Sequence, residues 1–123
     1  MKIKVIVLET MKEAYVRVIG NDLRSMQDVV DGKIEVIFPF ENGVGLIVNE
    51  EGKINGLPLN RAIFNSEGKI IDIIAGTAFL CDCSGEEMLG LSDENIKTCL
   101  ERFRFPEMFV SINGEIKALP LLG

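Results

Sequence analysis

The chain has no histidine and no tryptophan among its 123 residues. Without histidine, a single chain cannot form a Ser-His-Asp or Cys-His arrangement, because both use an imidazole as general base. The commonest protein ligand of zinc and copper is also missing. We therefore expect no metal ion and no cofactor, we identify no catalytic residue, and the sequence favours a protein that is not an enzyme.

Positive charge is also scarce. The chain has 13 Lys and Arg residues against 19 Asp and Glu residues, which gives a formal net charge of -6. No basic residue lies between Lys69 and Lys97, whereas the rest of the chain is electrically balanced. The acids of this base-free stretch are Asp72, Asp82, Glu86, Glu87, Asp93 and Glu94. Because an acidic surface repels phosphate backbones, we expect no binding to nucleic acid.

The acidic stretch has two interpretations. The simpler one is a solvated loop followed by the start of a helix. The alternative is a partner-facing segment that meets a basic protein, as an acidic inhibitor of a host protein would. Its residues are Asp82, Glu86, Glu87, Asp93 and Glu94. Mimicry of DNA would need a denser charge, since duplex DNA carries one charge per ~1.7 Å.

No hydrophobic run is long enough to cross a membrane. The most apolar window, residues 70–81, is interrupted by Asp72, and a spanning helix needs about 20 apolar residues. Because residues 1–9 already contain an acid, Glu9, we expect no cleavable apolar leader, and the three cysteines are an odd number. These features favour reduced thiols, a cytoplasmic location and no membrane contact.

Cys81 and Cys83 form a C-x-C pair. Alternate residues of a strand face the same side, so both thiols would share one face. A zinc site needs four ligands, and residues two apart on a strand are poorly placed for a disulfide. A structural role is favoured, with redox or metal chemistry as the minor alternatives.

The hydrophobic pattern predicts an α+β fold with a mainly antiparallel mixed sheet, two helices on one face and a C-terminal β-hairpin. One helix starts at Asn21 or Asp22 and the other at Ser92. Residues 53–65 have no clean period and predict an irregular crossing. The predicted strands are 2–8, 14–19, 33–38, 44–49 and 69–81, with a bend at Gly76, followed by a hairpin that turns at Asn113-Gly114. Residues 1–123 are expected to form a single domain.

Asn60, Arg61 and Asp72 form the most informative polar set. Asp72 lies inside the most apolar run, where a carboxylate needs a partner, and Arg61 is the candidate because a guanidinium can bind a carboxylate in two places. One interpretation is a structural latch. Another is a ligand pocket in which Asn60, Arg61 and Asp72 hold an anionic or amide group. Solvated, unpaired side chains are the third.

Three motifs resemble an uncharacterised family of bacterial, phage and mobile-element proteins that carries only a label of unknown function. They are Asn-Glu-Glu-Gly-Lys at 49–53, Gly-Leu-Pro-x-Asn-Arg at 56–61 and Asp-Ile-Ile-Ala-Gly-Thr at 72–77. The resemblance spans residues 1–105, and residues 106–123 form a C-terminal hairpin extension. The resemblance implies an intracellular accessory role associated with a phage or mobile element, and it carries over no activity and no site residue.

The sequence therefore favours a small cytosolic binding or interaction module with an unknown protein partner. The first alternative is a ligand-binding or catalytic domain around Asn60, Arg61 and Asp72. The second is the acidic inhibitor of a host protein. The positive mean hydropathy of +0.25 also leaves a homodimer open.

Overall fold

The computed structural model describes residues 1–122, which contain nine strands and two helices. Gly123, the last residue of the predicted extension, lies outside the described residues. In chain order the elements are β1 Lys2–Leu8, β2 Tyr15–Gly20, α1 Leu23–Val30, β3 Ile34–Ile37, β4 Val44–Asn49, β5 Leu59–Phe64, β6 Ile70–Ala75, β7 Ala78–Asp82, α2 Asp93–Phe103, β8 Glu107–Ile112 and β9 Glu115–Pro120.

The main sheet has five strands in the order β2-β1-β7-β4-β3. Strand β1 is apolar on both faces and lies between β2 and β7, as its composition predicts for an interior strand. Two further sheets have two strands each, β5-β6 and β8-β9. The predicted α+β class is confirmed, and each described pairing is antiparallel, so the sheet is not mixed.

The two helices cover opposite faces of the main sheet, and the prediction that both lie on one face is wrong. Helix α1 packs on one face through its buried Met26 and Val30, together with Val5 and Val7 of β1. On the other face, Phe103 of α2 packs with the alternate side chains of β1 and with residues of β5 and β6. A strand that is apolar on both sides must pack against other elements on both faces of its sheet. The apolar stripe of a helix shows that the helix packs on the sheet, but it does not indicate on which face.

Both helices begin at the predicted caps. Asp22 accepts a hydrogen bond from the backbone N–H of Ser25, and Ser92 accepts one from that of Asn95. Helix α1 ends with Asp31 in the left-handed conformation, at φ 58°. Neither helix of the described chain is long and apolar enough to cross a bilayer.

The apolar run at 69–81 is divided at Gly76, as predicted. Gly76 has a φ of +84° and lies against Leu57, so a side chain there would be strained and would collide with its neighbour. Strand β6, before the break, pairs with β5, and β7, after it, joins the main sheet. The predicted irregular crossing is wrong from Leu59 onward, because residues 59–64 form β5 with a register shift between Leu59 and Arg61.

The C-terminal hairpin turns at Asn113 and Gly114, whose φ angles are 52° and 82°. Two positive φ values are typical of a type I′ turn, whose twist matches that of the flanking strands. The predicted hairpin is confirmed. The hairpin region begins at Pro106, directly after the family-like residues 1–105, and it packs against β5.

Candidate functional site

Arg61 is completely buried, and each of its three guanidinium nitrogens donates to a protein oxygen. Its Nε lies 3.0 Å from the carbonyl oxygen of Phe103, and Nη2 lies 2.9 Å from that of Lys12. Its Nη1 reaches the carbonyl of Glu9 at 3.3 Å and Oδ1 of Asn60 at 2.8 Å. The side chain therefore joins β5 to the segment after β1 and to the C-terminal end of α2.

Asn60 completes this arrangement from the neighbouring position of β5. Its Nδ2 donates to the carbonyl oxygens of Leu8 at 2.9 Å and Gly76 at 2.8 Å, and its Oδ1 accepts from Arg61. A ligand would have to displace backbone carbonyls to bind either side chain. Of the three interpretations of the sequence, the contacts of Asn60 and Arg61 match the structural latch. We call these two residues the latch.

A second, partly buried network lies beside the latch, where Glu107 and Arg102 satisfy the backbone of Ala62. Glu107 Oε1 accepts from the N–H of Ala62 at 2.7 Å, and Arg102 Nη2 donates to its carbonyl at 2.8 Å. Arg102 also stacks on the rings of Phe64 and Phe103. These side chains cover part of the free edge of β5, which would otherwise expose unpaired backbone groups.

Burial has an electrostatic consequence for both arginines. Loss of water lowers the pKa of Arg61 and of Arg102, and the nearby Glu107 carboxylate acts in the opposite direction on both. A guanidinium keeps its charge under ordinary conditions even when its pKa is lowered. Glu107 is therefore the acid that compensates two desolvated cations, a role for which the sequence contains no signal.

The predicted ion pair between Arg61 and Asp72 is wrong. Asp72 pairs with Lys53, and both side chains are partly exposed. In the β5-β6 ladder Asp72 lies opposite Ile63, whereas Arg61 lies opposite Ile74. The apolar run around Asp72 predicted a partner for its carboxylate, and Arg61 was the candidate. The register of the β5-β6 ladder separates the two residues, and the turn after β4 supplies Lys53 instead.

Asp72 lines a cleft of about 230 Å³ between the end of β3, the turn after β4 and strand β6. Its other charged lining residues are Glu35, Glu50 and Lys53. The described chain contains no group of three or more Cys, Asp or Glu side chains arranged to hold a metal ion. Asp72 is therefore placed apart from Asn60 and Arg61, and the three residues do not converge on one pocket.

Replacing Asp72 with alanine is expected to lower the free energy of unfolding by less than about 1 kcal/mol, since exposed ion pairs contribute little. The same substitution combined with Arg61→Ala should be additive within about 0.5 kcal/mol, because the residues share no contact. Chemical denaturation of the wild type, the two single variants and the double variant measures the loss of stability and the coupling energy. A coupling energy above about 1 kcal/mol would show that Asp72 and Arg61 interact after all.

Other residues of the three motifs also have architectural contacts. Asn49 donates to the carbonyls of Val30 and Asp31 and so holds the C-terminal end of α1. Gly52 approaches the carbonyl of Ala75 so closely that a Cβ would lie 2.6 Å from it. These motifs connect the turns and strands of the domain to one another.

The acidic segment meets a second base-free stretch at one end of the main sheet. Residues 34–52 contain no Lys or Arg, and their loop at 38–43 lies against the end of β7. The N–H of Cys83 donates to the carbonyl of Gly43 at 2.9 Å, and Asn42 reaches Asn95 of α2 at 3.5 Å. The fold thereby adds Glu41, which sequence reasoning missed, to the predicted segment. The signal that could have found it is the absence of basic residues from 34 to 52.

We call this surface the acidic end. It consists of Glu41, Asp82, Glu86, Glu87, Asp93 and Glu94, which are exposed except for the half-buried Asp82. The ion pairs found within residues 1–122 involve other acids, and none includes these six. Hydrogen bonds from Ser84 lower the pKa of Asp82 and keep it ionised.

Two large apolar side chains are exposed on the loops of the acidic end. Phe38 is 57% exposed in the β3-β4 loop, and Leu89, which bridges to Asp82, is 42% exposed. Two basic residues lie close to this segment. Lys97 follows Glu94 by three residues on α2, and the carbonyl of Lys4 accepts from the N–H of Leu91. The acidic end thus presents negative charge with apolar side chains beside it.

Cys81 and Cys83 lie on the opposite face from Cys99. Cys81 is buried in the core under α1 with Cys83 packed against it, whereas Cys99 lies on the buried face of α2. The Sγ atoms of Cys81 and Cys83 are 3.6 Å apart, closer than the strand geometry suggested. All three cysteines are free thiols.

Comparison with models of protein families matches residues 1–104 to a domain of unknown function, DUF3846. The match confirms the resemblance to an uncharacterised family, and it ends just before the C-terminal hairpin. No curated protein and no solved structure matches the chain.

Proposed function

The chain belongs to the DUF3846 family of domains of unknown function, and we propose that it is an interaction module whose acidic end binds a basic protein. The observation that carries this proposal is the group of six acids at one end of the sheet that take part in none of the ion pairs of the described chain. Elsewhere, Glu9, Glu13 and Asp72 pair with Lys or Arg. Acids without an ion pair, such as Glu51, Glu67 and Glu101, lie within two residues of a Lys or Arg in the chain.

A protein is the partner that fits this surface best. Nucleic acid would be repelled, and a small cation would need convergent ligands, which the described residues do not form. Phe38 and Leu89 add apolar area beside the charges. Interfaces commonly combine an apolar anchor with a charged rim, and the rim accelerates the encounter with a complementary surface.

Two observations support a cellular setting for the proposal. The free thiols are compatible with a reducing cytoplasm, and the motif resemblance favours a phage or mobile element as the source. An acidic protein of such origin could act as an inhibitor of a host protein. A homodimer stays a prediction, and sedimentation of the purified chain measures it.

Neutralising the acidic end is expected to weaken partner binding at least about tenfold at low salt, since each charge at an interface rim contributes a fraction of a kcal/mol and speeds association. The test variant carries Glu86→Gln, Glu87→Gln and Glu94→Gln. The matched control carries Glu51→Gln, Glu67→Gln and Glu101→Gln, which remove the same charge from exposed positions elsewhere.

The wild type, the test variant and the control each serve as bait in a lysate of the native host. A retained protein is then purified for affinity measurement. The proposal expects a basic protein that the wild type and the control retain, that the test variant loses, and that added salt releases. Phe38→Ala should weaken the same complex. Equal retention by all three baits would refute the proposal, as would a partner whose binding is insensitive to salt.

A further inference from the structure

We propose that Cys81 and Cys83 form a reversible intramolecular disulfide by exchange with a low-molecular-weight disulfide such as oxidised glutathione. Their Sγ atoms are 3.6 Å apart, and neither thiol is bonded to another group. A disulfide bond is about 2.05 Å long, so the sulfurs need to approach by about 1.5 Å. This inference does not depend on the acidic end or on any partner.

The backbone around the pair permits this approach. Strand β7 ends at Asp82, so Cys81 lies within the sheet and Cys83 lies just beyond it. Residues two apart on an extended chain have Cα atoms about 6.5 Å apart, near the upper end of the range that disulfides span, which is why the sequence alone predicted a poor placement. The sulfur separation of 3.6 Å favours the disulfide more than that spacing suggests. Cys83 lies over Gly45, where a Cβ would come within 2.4 Å of its sulfur, so the glycine makes room for the thiol.

The two thiols differ in a way that assigns their roles. Cys81 is fully buried, whereas Cys83 is half-buried and accessible. A hydrogen bond between the two sulfurs lowers the pKa of Cys83 and, together with burial, raises that of Cys81. Cys83 is therefore the thiol that ionises first, and the thiolate is the nucleophile in exchange reactions.

The reaction balances in two steps. The Cys83 thiolate attacks one sulfur of the small disulfide, forms a mixed disulfide and releases one small thiolate. Cys81 then loses its proton to solvent and attacks Sγ of Cys83, which forms the protein disulfide and releases the second small thiolate. Two protein thiols are oxidised, and one small disulfide is reduced to two thiols.

The sequence offers a direct readout, because the absence of Lys and Arg between Lys69 and Lys97 keeps both cysteines in one tryptic peptide and places Cys99 in another. After treatment of the full chain with oxidised glutathione and alkylation, we expect the 70–97 peptide to be lighter by about 2 Da and to carry no alkyl group. The Cys99 peptide should be alkylated. Dithiothreitol should restore two alkylatable thiols in the first peptide.

Variants distinguish the order of attack. Cys81→Ser should stop at a stable glutathione adduct on Cys83, and Cys83→Ser should lose the exchange reaction. Cys99→Ser, the matched control, should form the disulfide as the wild type does. In the untreated wild type, limited alkylation should modify Cys83 at least about tenfold faster than Cys81 or Cys99. This measurement does not require any variant to fold. A persistent adduct on Cys83 of the wild type would overturn the proposal, as would an unmodified 70–97 peptide.

Discussion

Replacing Arg61 with alanine is expected to lower the free energy of unfolding by about 3–5 kcal/mol, the largest effect of any single substitution discussed for this protein. The guanidinium is fully buried and donates to oxygens of Glu9, Asn60, Lys12 and Phe103. Buried acceptors that lose their donor typically cost about 1–3 kcal/mol each, although removing a desolvated charge offsets part of the loss.

Two further arginine variants make the measurement specific. Arg61→Lys should recover only part of the stability, because a single ammonium cannot reach three carbonyls on two segments as a planar fork does. The matched control is Arg104→Ala, which removes an exposed arginine paired with Glu13 at 3.0 Å and should cost less than about 1 kcal/mol. Urea denaturation compares them. A loss below about 1 kcal/mol for Arg61→Ala would show that Arg61 does not hold the fold together.

Replacing Glu107 with alanine is expected to cost about 2–4 kcal/mol and to loosen the C-terminal hairpin. Its carboxylate accepts the N–H of Ala62 at 2.7 Å and lies 4.0 Å from Arg102. It also opposes the desolvation of Arg61 and Arg102. Its removal therefore leaves a backbone donor without its partner. It also leaves the buried Arg61 and the half-buried Arg102 without their compensating carboxylate.

Hydrogen exchange of the β8-β9 amides tests the second part of this expectation. Glu107→Ala should speed exchange throughout the hairpin, whereas Glu107→Gln, which keeps an acceptor for Ala62, should have a smaller effect. Glu115→Ala is the matched control, because it removes an exposed glutamate from the same hairpin and should change stability by less than about 0.5 kcal/mol. Unchanged exchange in the alanine variant would show that other contacts anchor the hairpin.

The latch also illustrates how far the candidate site was predictable. The position of Asp72 inside the most apolar run predicted that its carboxylate would have a partner, and Asp72 pairs with Lys53. The choice of Arg61 as that partner was wrong, because opposite charge is visible in a sequence, whereas the backbone carbonyls that Arg61 binds carry no sequence signature. Carbonyls at the C-terminal end of a helix, such as that of Phe103, are favourable acceptors for a cation.

The sequence by itself determined the features whose signals are local. The caps Asp22 and Ser92, the break at Gly76 and the turn at Asn113-Gly114 depend on a few adjacent residues, and all are present in the structure. The negative charge of the 70–96 stretch is likewise a property of composition. Local conformational preference and charge act over a few residues, so they can be recognised without knowing the fold.

Only the tertiary structure decided which distant segments meet. It placed the helices on opposite faces of the sheet and brought Glu41 to the acidic end. It also paired Asp72 with Lys53 and placed Glu107 beside Ala62. The physical reason is that these arrangements depend on strand register and on the faces that must be covered, and both follow from packing the whole chain at once. A hydrophobic pattern specifies that a face is buried, but the fold determines what buries it.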